Sequence, residues 1–355
     1  MAITAADLNK TKCLEILSRN IANVDTPRFN AQDGESRKKS LDKYNFFFEV
    51  LTNNEIIRLS ELEALNECYI LKKPHFDFFT GFAGKAVRQI LLSSIVENYI
   101  LRKLNKDKDF SNINYLEVGS WLGASLLSVS SVVSNYQANG KYTCVDLWKP
   151  YNPRADIIGS EKSARMEELC RNESAFPLFL YNATASIKTE DLNVVRQSSM
   201  QALRQFKSAE RSIYDIAFVD GLHYYEFVLN DLLLSYDLLK SGGVLIFDDY
   251  ECRFYDIQDW TDIENRDYIP NPKNGIMFHP GVTKAVNKFC EIKGVQENSI
   301  YQVCGLGILV KDSNERLKIS KYKDNLFIPD HLPLEWLELA QRDLSKEFKN
   351  TDKYK

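Results

Sequence analysis

The sequence predicts a doubly wound α/β fold built on a mostly parallel, seven-stranded sheet. Over residues 112–312, short apolar or β-branched runs alternate with helical stretches, which is the pattern of consecutive βαβ units. Up to about residue 110, apolar residues instead recur three and four apart, as in amphipathic helices. We therefore expect three parts: a helical N-terminal extension (1–110), the α/β domain (111–312) and a charged C-terminal tail with one helix (313–355).

Each element of this fold is predicted from its own pattern of apolar residues. The seven strand candidates are 113–118, 142–145, 194–197, 213–219, 244–247, 299–303 and 305–310. The helix candidates of the α/β domain are 124–136, 160–171, 200–206, 224–239 and 282–292. Two more helices are expected in the extension, around 59–69 and 87–100, and one at 333–348 in the tail. The stretch 252–280 is too long for a simple connection, and we expect it to cover a substrate.

Composition and charge exclude several classes of protein. The 355 residues are 44% hydrophobic and 26% charged, which is typical of a globular protein and excludes disordered, collagenous and fibrous proteins. The net charge of −4 gives no electrostatic reason to expect a nucleic-acid partner. The seven cysteines are scattered and never spaced as CxxC, which favours a reducing cytoplasm over a disulfide framework or a zinc cluster. We also expect no signal peptide and no membrane span.

The turn after the first strand has the chemistry of a cofactor site. Residues 115–125 read YLEVGSWLGAS, a strand that ends in Glu117 and a turn bracketed by Gly119 and Gly123. Trp121 occupies the place where a dinucleotide fingerprint has its middle glycine, so a pyrophosphate is disfavoured. Asp146 ends the second strand, where an acid can accept both hydroxyls of a ribose. The pattern favours a nucleoside cofactor, although a tight turn and a helix cap would use the same residues.

A second group of residues, Asp220, Asp248 and Asp249, follows the fourth and fifth strands, and we call it the acidic cluster. The carboxyl ends of neighbouring parallel strands face one crevice, so these side chains should converge. Three carboxylates would repel one another unless a cation neutralised them, and oxygen ligands suit Mg²⁺. An Asp at a strand end is also a common helix cap. The histidines at 75, 279 and 331 have no metal-like partner in the sequence, and we leave them out of the site.

Together these motifs resemble the class I S-adenosylmethionine-dependent methyltransferases, a Rossmann-like family. The resemblance covers residues 112–310 and is strongest to metal-dependent small-molecule O-methyltransferases with a DGxHxY...GGxxxxDDY pattern. It implies that the methionine part of the cofactor contacts Glu117, Gly119, Ser120 and Gly123, the ribose contacts Asp146, and Asp220 also lies on the cofactor side. It further implies adenine contacts at Ser198 and Ser199, a Mg²⁺ ion on Asp220, Asp248 and Asp249, and catalysis by His223, as the base, with Asp220.

The leading hypothesis is therefore an S-adenosylmethionine-dependent, Mg²⁺-dependent O-methyltransferase of a small hydroxylated molecule, such as a sugar or phenol in a biosynthetic pathway. The N-terminal helices would shape the substrate pocket or a homo-oligomer interface. Two alternatives stay open. In a metal-dependent hydroxylase the same acids would hold another metal, and the enzyme would require a reductant or 2-oxo acid. A non-catalytic, cofactor-binding interaction module would bind the cofactor without turnover and would tolerate His223→Ala.

Overall fold

The structure is a computed structural model that describes residues 86–108, 110–150, 166–167, 169–171, 173, 175–209, 212–257, 260, 263, 266–313, 317, 326–332, 337, 340 and 344. Its helices are α1 (Ala86–Lys106), α2 (Ala124–Asn135), α3 (Ala175–Ser186), α4 (Ser199–Ala209), α5 (Tyr225–Leu238) and α6 (Pro280–Lys293). Its strands are β1 (Asn112–Val118), β2 (Asn139–Asp146), β3 (Leu192–Arg196), β4 (Tyr214–Val219), β5 (Leu239–Phe247), β6 (Ile269–Pro270), β7 (Met277–Phe278), β8 (Tyr301–Val303) and β9 (Leu306–Val310).

Seven strands form one sheet in the order β3-β2-β1-β4-β5-β9-β8. The five strands β1 to β5 are parallel to one another, whereas β9 runs antiparallel to β5 and to β8. This confirms the predicted doubly wound, mostly parallel seven-stranded architecture. The strands β6 and β7 form a separate small hairpin within the 252–280 insert.

Alternate residues of the central strands enter two different cores. Ile216 of β4 belongs to one core, and its neighbour Ala217 belongs to the other. Helices α1 and α2 contribute to the first core, and α4, α5 and α6 contribute to the second. Because both faces of the strands are covered, the strands read as continuous apolar runs in the sequence rather than as an alternation. Helix α1, which precedes β1, is thus packed into the core of the sheet.

At the amino-terminal edge of the sheet, a buried acid joins four elements. Asp215 of β4 accepts hydrogen bonds from the Tyr99 hydroxyl of α1 at 3.2 Å and from the Asn114 backbone N–H of β1 at 2.9 Å. It also pairs with the Lys240 ammonium of β5 at 2.8 Å. Asp215 therefore holds α1, β1, β4 and β5 together at the edge opposite to the strands' carboxyl ends.

All seven strands of the main sheet and the helices α1, α2, α4, α5 and α6 lie where the sequence predicts them, within a few residues. Strand β5 begins at Leu239 rather than near 244, because it runs through the glycine pair and a register shift opposite Tyr214. Helix α3 was not predicted. The candidate helix around 59–69 lies outside the described residues, as do most residues of the candidates at 160–171 and 333–348. Of the helices that the structure describes, none is long and apolar enough to cross a membrane.

Candidate functional site

The turn after β1 brings the carboxyl ends of three strands together at Gly119. Its backbone N–H donates to the Val145 carbonyl of β2 at 2.9 Å. A Cβ atom at this position would lie 1.9 Å from the Asp220 carbonyl oxygen that follows β4. With a φ of 83°, the backbone also adopts a left-handed conformation that suits glycine. The ends of β1, β2 and β4 can approach this closely only because residue 119 has no side chain.

Glu117 lies beneath this turn and is completely buried. Its carboxyl oxygens accept hydrogen bonds from the Tyr115 hydroxyl at 2.6 Å and the Ser125 hydroxyl at 3.0 Å. Burial raises the pKa of Glu117 to about 8, although these hydrogen bonds oppose the shift. The carboxyl group therefore keeps its proton near neutral pH and braces the turn, which α2 follows after its cap Gly123.

Asp146 fastens the same turn to the end of β2. Its two oxygens accept the backbone N–H groups of Trp121 at 2.9 Å and Trp148 at 2.8 Å. The Trp148 indole N–H donates in turn to the Trp121 carbonyl at 2.6 Å. Burial raises the pKa of Asp146, and the backbone N–H groups oppose the shift. Each carboxylate oxygen retains a second lone pair, so Asp146 can still accept a hydroxyl of a ribose.

The two serines after β3 lie at the start of α4, and one of them contacts a buried acid. Ser198 bonds to the Gln201 side chain at 3.1 Å, whereas Ser199 donates a hydrogen bond to Asp231 of α5. Asp231 is only 1% exposed, and its Oδ2 lies 3.2 Å from where a Cβ of Gly221 would be. Asp231 therefore lies behind the loop that carries Asp220, next to the predicted adenine contacts.

The structure brings Asp220, His223 and Asp249 together: one donor atom of each lies within 4.8 Å of the others, close enough to share a metal ion. The Nε2 atom of His223 is 2.9 Å from Asp249 Oδ2, and its Nδ1 is 3.1 Å from Asp267 Oδ1. Burial alone would lower the pKa of His223, but Asp249 and Asp267 outweigh it and raise the pKa to about 10. In this geometry the imidazole is protonated at neutral pH.

Arg88 of α1 inserts a positive charge into the acidic cluster, and the sequence analysis missed this residue. Its Nη1 atom lies 2.6 Å from Asp248 Oδ1 and 2.5 Å from Asp249 Oδ1, and its Nη2 lies 3.3 Å from Glu251 Oε1. Burial alone would lower the pKa of Arg88, but the three acids outweigh this effect and raise it. The carboxylates that were expected to need a metal ion thus have a protein cation beside them, and Asp248 pairs with Arg88.

The 252–280 insert adds two further residues, Asp267 and His279, to the site. The His279 ring lies 4.3 Å from the His223 ring and 4.5 Å from the Tyr268 ring, between centroids. Its Nδ1 atom is 3.4 Å from Glu251 Oε2. His279, expected to lie outside the site, is thus one of its residues. No signal in the sequence pointed to either residue, since both are single polar residues in an irregular segment.

Comparisons with known proteins found similarity over part of this chain. A family profile described as a methyltransferase domain matches residues 116–250. A curated relative from Acanthamoeba polyphaga mimivirus, itself uncharacterized, is 27% identical over 153 residues, which are 43% of this chain and 58% of the relative. The chain thus matches less than two thirds of that relative's length.

Two solved structures are also similar to this chain. The O-methyltransferase NovP has a TM-score of 0.43 and 13% identity, over 64% of this chain and 80% of NovP. An O-methyltransferase from Bacillus cereus, solved in complex with SAH, has a TM-score of 0.36 and 16% identity, over 72% of this chain and 93% of that chain.

Proposed function

We propose that this chain is a class I S-adenosylmethionine-dependent methyltransferase that transfers a methyl group to a hydroxyl of a small molecule, because residues 116–250 match a methyltransferase-domain profile. The observation that carries the proposal is the meeting of β1, β2 and β4 at Gly119, where Asp146 and the Asp220 backbone flank the same turn. Crevices at the carboxyl ends of parallel strands are the usual ligand sites of such sheets.

In the proposed complex, the cofactor lies along this edge. The turn 119–123 borders its methionine part, Asp146 accepts from its ribose, and Ser198 and Ser199 border its adenine. When bound, the cofactor supplies an electrophilic methyl group and a divalent ion acidifies the substrate hydroxyl. The protein aligns the hydroxyl with the methyl group and excludes water, and the insert 252–280 covers the substrate side.

The residues present fit a divalent ion such as Mg²⁺ in one specific arrangement. Asp220 and Asp249 offer the carboxylate oxygens that a hard ion prefers, with His223 beside them. Asp248, the third predicted ligand, belongs to none of the groups of donor atoms that lie within 4.8 Å of one another among the described residues, and its Oδ1 is paired with Arg88. His223 is the proposed base, and for this role it must lose the proton that Asp249 and Asp267 now hold on it. A metal ion bound to Asp249 would neutralise the carboxylate that contributes most to the raised pKa of His223.

The proposal is tested by calorimetric titration of the full chain with S-adenosylmethionine. In Asp146→Asn, the amide accepts fewer hydrogen bonds than the carboxylate, so we expect cofactor affinity to fall by at least about tenfold. Asp191→Asn is the matched control, because Asp191 forms an ion pair with Lys141 at the surface. Its affinity should equal that of the wild type, and circular dichroism checks that both variants are folded. A wild-type protein that binds no cofactor, with or without Mg²⁺, would rule out the proposal.

One observation favours the hydroxylase alternative as a second candidate. His223, Asp267 and His279 form another group whose donor atoms lie within 4.8 Å of one another. Two imidazoles and one carboxylate are the ligands of non-haem iron oxygenases. The two functions are separated by their co-substrates: a hydroxylase requires O₂ with a reductant or 2-oxo acid, and a methyltransferase produces S-adenosylhomocysteine without them.

A further inference from the structure

We propose that Arg88 is a resident cation of the acidic cluster that competes with divalent metal ions for Asp248 and Asp249. The side chain of helix α1 would thereby set the metal affinity of the site. This inference rests on the proposed metal site, but it does not depend on which reaction the site performs. Helix α1 lies outside residues 116–250, the part of the chain that matches the family profile.

The guanidinium of Arg88 occupies a position between two other segments of the chain. Its Nε donates to the Cys304 carbonyl at 3.2 Å, in the turn between β8 and β9. The next residue, Gly305, has a φ of 80°, and a Cβ there would lie 2.7 Å from Arg88 Nη2. The Tyr250 backbone N–H, beside the acids, donates to the Gly305 carbonyl at 2.7 Å. The turn is thus tied to the acidic cluster and leaves room for the arginine.

The contacts of Asp249 show where the competition occurs. Its Oδ1 atom faces Arg88, and its Oδ2 atom faces His223. Asp248, whose side chain is 2% exposed, is paired with Arg88 as well. A divalent ion that used the Oδ1 atoms of both aspartates would have to displace the guanidinium. An ion that used only Asp249 Oδ2 and Asp220, beside His223, would bind within a few ångströms of a fixed positive charge. Both routes lower the metal affinity, because like charges repel strongly where water is largely excluded.

The test is a calorimetric titration of Mg²⁺, repeated with Mn²⁺, into the cofactor-free full chain. In Arg88→Met, the side chain keeps much of its length but loses its charge, so we expect the ion to bind at least about tenfold more tightly than in the wild type. Arg88→Lys keeps a charge that reaches fewer carboxylates, and its affinity should fall between the two. Arg102→Met, on the same helix, replaces an arginine that bonds within the helix to Asn98, and it should bind metal like the wild type.

Thermal unfolding with and without Mg²⁺ gives a second readout. The Arg88→Met protein should be less stable than the wild type without the ion and should gain more stability from Mg²⁺, but not from NaCl at equal ionic strength. If Arg88→Met folds only with Mg²⁺, the proposal is supported. If Arg88→Met does not fold even with Mg²⁺, the Mg²⁺ affinity of Arg88→Lys relative to the wild type tests the proposal instead. Unchanged or weaker metal binding in the folded variants would overturn the proposal.

Titration with S-adenosylmethionine separates this inference from the proposed function. Wild-type protein that binds the cofactor, with no gain of Mg²⁺ affinity in the Arg88 variants, rejects the inference alone. Wild-type protein that binds no cofactor, with a clear gain of Mg²⁺ affinity in Arg88→Met, rejects methyl transfer and supports the inference.

Discussion

Asp231 is a buried carboxyl group whose Oδ1 atom has no hydrogen-bond partner among the described residues. Burial raises its pKa from the ordinary 3.8 to about 7, although Ser199 donates a hydrogen bond to it. Below about pH 4 the group is protonated in both the folded and the unfolded chain. As the pH rises from there to about 7, the unfolded chain releases this proton and the folded chain keeps it. The contribution of Asp231 to stability therefore falls over this window and stays low above it.

Replacement of Asp231 by the neutral asparagine should remove the loss of stability that its ionisation causes as the pH rises. We expect Asp231→Asn to be more stable than the wild type at about pH 8, by on the order of 2 kcal/mol, and the gain should shrink towards pH 5. Urea unfolding at several pH values measures this. Asp237→Asn in the same helix is the matched control. Burial raises the pKa of Asp237, but Lys207 and Lys293 outweigh it and lower the pKa, so this variant should lose stability at pH 8. A gain for Asp231→Asn that does not depend on pH would contradict the titration argument.

At the scale of the element, the turn between β1 and α2 depends on a close backbone approach rather than on flexibility. Gly119 and Gly242 both have positive φ, at 83° and 73°. A side chain at 119 would overlap the Asp220 carbonyl, whereas one at 242 would meet nothing within 4 Å. The two glycines therefore separate the cost of a left-handed backbone from the cost of steric overlap.

We expect Gly119→Ala to lower the free energy of unfolding by on the order of 3 kcal/mol or more and to abolish cofactor binding, because the ends of β1 and β4 must move apart. Gly242→Ala should lower the free energy of unfolding by only about 1 kcal/mol, the cost of the left-handed backbone conformation, and should bind the cofactor like the wild type. Chemical unfolding and calorimetric titration measure the two effects. Equal losses of stability in both variants would show that the overlap at Gly119 is relieved by small local shifts.

Some elements of the fold are easier to predict from the sequence than others. The strands are predicted because short apolar runs alternate with helical periodicity. Because the carboxyl ends of neighbouring parallel strands lie at the same edge of the sheet, the sequence also predicts that Asp220 and Asp249 lie close together. Helix α3 was missed because AFPLFLYNATAS is apolar on nearly every side and contains Pro177. Pro177 lies in the first turn of α3, where a proline is tolerated. Tertiary burial, rather than a periodic stripe, specifies this helix.

At the scale of the whole molecule, acids at the two edges of the sheet have different surroundings. Asp215 at the amino-terminal edge is 2% exposed, and its partners Tyr99, Asn114 and Lys240 come from three other elements. At the carboxyl-terminal edge, by contrast, Asp220 and Asp249 have a histidine beside them with which they could share a metal ion. Arg88 could not be predicted there, because it meets Asp249 across 161 residues of chain and belongs to no motif. Contacts of that kind follow only from the three-dimensional packing of α1.

This division predicts that stability and cofactor binding can be lost separately. Asp215→Ala removes the acceptor for a buried hydroxyl and a backbone N–H, so we expect a loss on the order of 3 kcal/mol in unfolding free energy. Cofactor affinity in the protein that remains folded should be unchanged, because the site lies at the opposite edge. Unfolding and titration experiments on the same sample test this, with Asp191→Asn as the control of small effect. A parallel loss of cofactor affinity would show that the two edges are coupled.

The order of the strands also has a consequence for biosynthesis. Strand β1, the middle one of the five parallel strands, pairs with β2, which follows it closely, and with β4, which does not: Asn114 and Asp215 are 101 residues apart along the chain. At roughly 5–20 residues per second, a ribosome needs about 5–20 s to make that interval. During this time the backbone N–H and C=O groups of β1 that later pair with β4 have no partner strand. We therefore expect the nascent chain to be most prone to aggregation, and most dependent on chaperones, between the synthesis of β2 and that of β4.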